Sequence, residues 1–218
     1  LAIAQKIPAI NPPFVSTNQP IILLAKEVDM RIIAGSRRGA ILTRLDAVNT
    51  RPTVDRVRES LFNILQGGRF SRLLTDCHVI DLFAGTGALG LEAVSRGAAF
   101  ASFVENNSDA LAVLRANIAK LRFQASTSVM AVDALSLLYW RGAPAQLVFA
   151  DAPYQSGDGI IAVNALANIG ALADGAIIVV ETEKAETLNI GNGDSSPYTM
   201  IETRNYGKAM LHFLTYKD

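Results

Sequence analysis

The chain has 218 residues, half of them hydrophobic and 18% charged, which is ample for one packed core and argues against disorder. A single cysteine, Cys77, excludes an internal disulfide and a multi-cysteine metal site, and the two histidines, His78 and His212, lie too far apart in sequence to suggest a zinc site. Net charge is zero but unevenly spread: nine arginines and three acids between Met30 and Arg72 give +6, against −6 from Leu73 onward. Arginine's planar fork suits phosphate, so this segment is expected to meet a polyanion, the rival being an ordinary solvated face. No apolar run is long enough to cross a bilayer, and no charged leader with an apolar stretch opens the chain. The expectation is a cytoplasmic, monomeric protein with no membrane contact and no metal.

In chain order, residues 1–29 carry four prolines and no periodicity, and form an extension of no visible role. "RIIAG" and "AILTRL" flank a Gly/Ser/Arg turn, as in a hairpin. "TRPTVDRVRESLFNILQGG" predicts a helix capped by Thr53, with Val54, Val57, Leu61, Ile64 and Leu65 on one face and Gly67-Gly68 as its stop. Residues 30–72 thus form a basic hairpin-and-helix arm, and 73–218 the main domain. From 78 on, short apolar runs alternate with helical stretches. Strands are expected at "HVIDLF", "FASFVE", "TSVMAV", "QLVFAD" and "GAIIVVET", with helices near 88–96, 108–122, 134–140 and 158–171. That is an α/β domain with a mostly parallel sheet and helices on both faces. "YTMIETRNYG" and "KAMLHFLTY" then predict an antiparallel C-terminal hairpin.

"VIDLFAGTGALGLEAV" contains Gly85-x-Gly87-x-x-Gly90, and Glu105 ends the next strand twenty residues after the first glycine. The spacing fits a dinucleotide fingerprint, and an NAD-dependent oxidoreductase is one reading; a turn that needs glycine only for its backbone is another. Asp81 inside the strand would repel a diphosphate but suits a cationic ligand. With Asp133 after the third strand, three acids would line the carboxyl ends of the strands, which fits S-adenosylmethionine better than NAD.

These segments resemble the class I S-adenosylmethionine-dependent methyltransferases. "DLFAGTGALGLEAVSRGA" is similar to their first motif, "FVENN" to their ribose-binding acid, "VDAL" to the acid near the adenine amino group, and "DAPY" to their (D/N)PP(Y/F) catalytic motif. "MRIIAGSRRG", "TRPTVDRVRESLFNIL" and "TRNYGKAML" resemble the RsmD family, which methylates a guanine N2 in small-subunit ribosomal RNA. The resemblance runs from Met30 to the C-terminus. It implies a Rossmann-like class I methyltransferase fold, S-adenosylmethionine as cofactor, and ribosomal RNA or the assembling small subunit as partner. Implied at the cofactor are Asp81, Phe83, Gly85, Thr86, Gly87, Glu105, Asn106, Asp133, Ala134 and Thr53; implied in catalysis are Asp151, Ala152, Pro153 and Tyr154. Arg37, Arg38, Arg51 and Arg56 are expected to bind RNA.

An exocyclic amine is a weak nucleophile because its lone pair is delocalised into the ring. A carboxylate and a backbone carbonyl accepting its two N–H bonds favour a tetrahedral nitrogen with a localised lone pair. Asp151 with the carbonyl of Ala152 or Pro153 would supply them, and Tyr154 would stack on a base drawn out of its helix. Ala152 stands where the family commonly has proline, a loss of about 0.4–1 kcal/mol of unfolded-state restriction. The same motif serves adenine N6 in other enzymes, and a non-catalytic RNA-binding module on this scaffold is a further alternative. Cys77, Trp140 and His212 are expected to pack, and Arg204 with Tyr206-Gly207 to shape the terminal turn.

Overall fold

The computed structural model describes residues 30–45, 52–153, 156–191 and 196–218, of which 52–55 through their backbone only. The alternation of apolar runs and helical stretches folds as β1 His78–Leu82, α2 Ala88–Ser95, β2 Phe100–Glu105, α3 Ser108–Leu121, β3 Thr127–Ala131, β4 Ala145–Ala150, α4 Asp158–Asn168 and β5 Leu172–Glu183. α1 Pro52–Leu65 precedes them, and β6 Tyr198–Tyr206 and β7 Ala209–Tyr216 follow. The strands form one seven-stranded sheet in the order β3-β2-β1-β4-β5-β7-β6. β1 to β5 pair in parallel, and β7 is antiparallel to both β5 and β6. β1 to β5 match the expected runs closely.

Both faces of the central strands are buried, as near-continuous apolar runs require. On one face Val79, Phe103, Phe149, Val179 and Phe213 pack with α1, α2 and α3. On the other, Ile80, Leu82, Val148, Val180 and Leu214 pack with α4. The period of two puts neighbours in each strand on opposite cores.

Three expectations need correction. Residues 134–140 make only a 3-10 turn at Ala134–Ser136, capped by the Asp133 side chain on the Leu135 N–H. "ALSLLYW" is apolar nearly all round, with no polar face to set a stripe apart: Ala134 and Leu137 are buried, whereas Leu138 is 85% exposed. α1 begins at Pro52, a residue suited to a helix start because it lacks the N–H that would go unpaired there, so Thr53 is the second helical residue and not the cap. The expected hairpin reduces to a single bridge between Arg31 and Ile41, closed by three further backbone bonds.

The arm is not a projection. Met30, Ile32, Leu42, Leu61 and Phe62 share one hydrophobic cluster with the sheet, and Phe62 meets Phe149 edge-on at 5.7 Å. Glu92, fully buried on α2, accepts the N–H groups of Ile33 (2.7 Å) and Ala34 (3.0 Å). The same carboxylate pairs with Arg96 at 2.6 Å, whose guanidinium lies 4.8 Å over the Phe62 ring. At Gly35, φ is +84°, and a Cβ would fall 1.8 Å from the Ser95 carbonyl oxygen. Only glycine fits this approach of the arm to α2.

Candidate active site

The carboxyl ends of β1, β2 and β4 converge where parallel α/β sheets bind ligands. After Leu82 the chain leaves β1 through Phe83, whose φ of +56° is unusual for a bulky residue, and turns over Gly85 (φ +53°) and Gly87 (φ +80°) into α2. A Cβ on Gly87 would lie 2.3 Å from Leu114 Cδ1, and one on Gly90 would lie 2.4 Å from the Phe103 ring. Those two glycines let the loop and α2 press onto β2 and α3. Gly85 is different: nothing lies closer to its Cβ position than the Phe83 oxygen at 3.9 Å. Its face of the loop is open.

Two acids organise this loop. Asp81, 2% exposed, accepts the Gly90 N–H at 2.8 Å. Burial raises its pKa to about 7; the Gly90 bond opposes this and the Glu105 charge adds to it. Glu105 Oε2 accepts the Gly85 N–H at 2.8 Å, and Oε1 accepts those of Asn106 (2.9 Å) and Asn107 (2.8 Å). Oε1 therefore has both lone pairs engaged, while Oε2 keeps one for a ligand hydroxyl. Asn107, not Asn106, caps α3. Asp133 is exposed beyond β3, and Ala134 is buried behind it.

Asp151 follows β4 directly. Because Ala150 pairs with Val180, Asp151 and Glu181 occupy the next level of neighbouring strands. Asp151 is accessible to solvent. Desolvation, then the charges of Glu181 and Asp81, push its carboxyl pKa upward. Ala152 is buried and Pro153 exposed. The Ser156 hydroxyl donates to the Pro153 carbonyl at 2.8 Å, and its oxygen accepts the Asp158 N–H at 3.2 Å, closing the loop onto α4. A Cβ on Gly159 would be 3.8 Å from the Ala152 Cβ, so α4 also packs against the loop. Tyr154 and Arg51, and the Thr53 side chain, lie outside what is described.

The arginines divide. Arg38 and Arg56 are exposed. Arg37 donates through Nε to the Leu121 carbonyl at 2.7 Å and lies 5.4 Å over the Phe123 ring, so it fastens the arm to the end of α3. His212 is a structural residue here, held between Thr182 (3.0 Å) and Thr203 (3.2 Å) across three strands, and burial lowers its pKa.

Sequence reasoning passed over Glu181, Glu92 and Asn117. Glu181 closes an apolar run much as Asp151 does, a signal that was readable. Glu92 and Asn117 are polar residues on the buried faces of α2 and α3, where their position is the only hint.

Asp81 lies near enough to both Glu105 and Asp151 for their charges to interact beside the glycine loop, and Asp81 and Asp151 have a raised pKa. A nucleoside bearing a sulfonium fits that donor set, and a dinucleotide diphosphate does not. The chain is 42% identical over 154 residues to ribosomal RNA small subunit methyltransferase D of Escherichia coli, covering 71% of this chain and 75% of that one. It is 34% identical over 164 residues to the Haemophilus influenzae protein of the same name, covering 73% and 82%. Among solved structures, a putative methyltransferase from E. coli, yhhF, superposes with a TM-score of 0.73 at 33% identity, over 87% of this chain and 98% of that one. The fold is that of the class I methyltransferases. Residues 30–215 match the family described as Conserved hypothetical protein 95, and the chain belongs to it, the RsmD family.

Proposed function

We propose that this protein transfers a methyl group from S-adenosylmethionine to the exocyclic N2 of a guanine in small-subunit ribosomal RNA, in the cytoplasm, and acts as a monomer. The observation that carries the reading is the arrangement of three acids about the glycine loop: Glu105 on the Gly85 N–H, Asp81 buried beneath it on the Gly90 N–H, and Asp151 near enough to feel the Asp81 charge. Glu105 Oε2 is available to a ribose hydroxyl, Gly85 lets the ligand approach the backbone, and Asp133 would accept the adenine amino group in this reading. The bound cofactor supplies an already activated methyl group, so the protein's task is alignment and electrostatics.

Asp151 accepts one N–H of the target amine and the Ala152 or Pro153 carbonyl accepts the other. The Pro153 oxygen keeps a lone pair beyond its bond from Ser156. Methyl transfer would break the methyl–sulfur bond, leave its electron pair on sulfur, and make the target nitrogen strongly acidic. Asp151, in its ionised form, takes the proton. Tyr154 stacks on the base in this reading.

The test is to incubate the protein and labelled S-adenosylmethionine with small subunits from cells that lack the gene, then map the label. Label on a guanine N2 is expected. Label on adenine N6, or none, overturns the reading.

A further inference from the structure

The arm and the glycine loop meet at one buried side chain that the proposed chemistry does not use. Asn117 on α3 has no exposed surface. Its Oδ1 accepts the Thr43 N–H at 2.7 Å, while Nδ2 donates to the Thr43 carbonyl at 3.1 Å and to the Thr86 carbonyl at 3.0 Å. Leu114, nearly one turn earlier on the same helix, fills the space beside Gly87. The Thr86 hydroxyl also reaches the Met30 sulfur at 3.6 Å, a second tie between loop and arm. α3 therefore seats both segments at one place.

We infer that Asn117 is a positioning residue that couples the arm to the cofactor loop, so that a ligand on either changes affinity at the other. This rests on the reading that the arm meets RNA and the loop holds S-adenosylmethionine. The physical reason is the planar amide. Its two N–H bonds are fixed at a set angle and each serves a carbonyl from a different segment. A small displacement of either carbonyl misaligns a buried bond whose loss is unfavourable, so the two segments shift together. Such coupling is reciprocal by thermodynamic necessity.

The test measures S-adenosylhomocysteine binding by calorimetry, with and without saturating small ribosomal subunits from cells lacking the gene. The wild type should bind about five-fold or more tightly with subunits present. Asn117→Ala and Asn117→Asp should bring that ratio near one while still binding each ligand. Hydrogen exchange supplies a readout that needs no RNA: S-adenosylhomocysteine alone should slow exchange of the Thr43 amide in the wild type. Asn117→Asp keeps the acceptor for Thr43 but loses both donors, and should abolish that slowing.

A merely structural Asn117 would lower the melting temperature and leave the ratio unchanged, and that result overturns the inference. So does an unslowed Thr43 amide in the wild type, a measurement that stands even if Asn117→Ala does not fold. Failure of the underlying functional reading looks different, because the wild type would then bind neither S-adenosylhomocysteine nor the subunit.

Discussion

Asp81 and Asp151 are both carboxylates with raised pKa, yet their surroundings assign them different work. Asp81 is sealed beneath the loop and holds the Gly90 N–H, while Asp151 is open to the cleft. Asp151→Ala should therefore lower methyl transfer by about 100-fold or more while leaving S-adenosylhomocysteine affinity within a few-fold of wild type. Single-turnover assays beside calorimetry check this, and a parallel loss of cofactor binding would refute the assignment. Gly90→Ala should act on the other side of the division. Its methyl would press on Phe103 and crowd Asp81, 3.1 Å from the new Cβ, at about 1–3 kcal/mol of stability, with cofactor affinity falling alongside. Denaturant melts with and without S-adenosylhomocysteine measure both effects.

At the scale of elements, the arm's attachment to α2 is the interaction most exposed to a single change. Glu92→Ala would leave Arg96 without its buried partner and strip the Ile33 and Ala34 N–H groups of their acceptor. A loss of about 3–5 kcal/mol is expected, read by denaturant melts, with earlier proteolysis within 30–45. How far the elements were legible follows the same physics. Strands buried on both faces announce themselves as apolar runs, and so the sheet was readable from "HVIDLF" to "GAIIVVET". The glycine loop and Asp151 were readable because a strand that ends in an acid or in glycines is chemically conspicuous. The stretch at 134–140 misled because apolar content alone does not make a stripe. The arm's seating was not readable, because its anchors are Glu92, Ser95 and Asn117, each 58 or more residues away in sequence. Pairings of that kind leave no local pattern.

Over the whole molecule, charge governs how the protein responds to its solution. Asp81 is ordinarily ionised above pH 3.8 but in the folded protein only above about 7. The folded state thus holds a proton that the unfolded chain releases, so stability without cofactor should fall as pH rises through that interval. Asp81→Asn should melt above the wild type at pH 8 and level with it near pH 4, a convergence that thermal melts across pH will display or exclude. RNA attraction belongs to the same scale. Replacing the exposed Arg38 and Arg56 with alanine should reduce the salt slope of subunit binding by roughly 0.7–0.9 for each phosphate no longer neutralised. Arg37→Ala should instead lower the melting temperature, since that side chain holds Leu121 and Phe123. Binding titrations at several salt concentrations separate the two.

The position of β7 has a consequence in time. It is the last strand of the sheet in sequence, yet it lies inside the sheet, between β5 and β6. While the chain is being made, β5 presents one open edge and β6 has no partner, and neither is closed until residues 209–216 have left the ribosome. Two unpaired strand edges, that of β5 apolar, would then wait together for the same late segment, a period in which a chaperone or a neighbouring nascent chain could pair with them first.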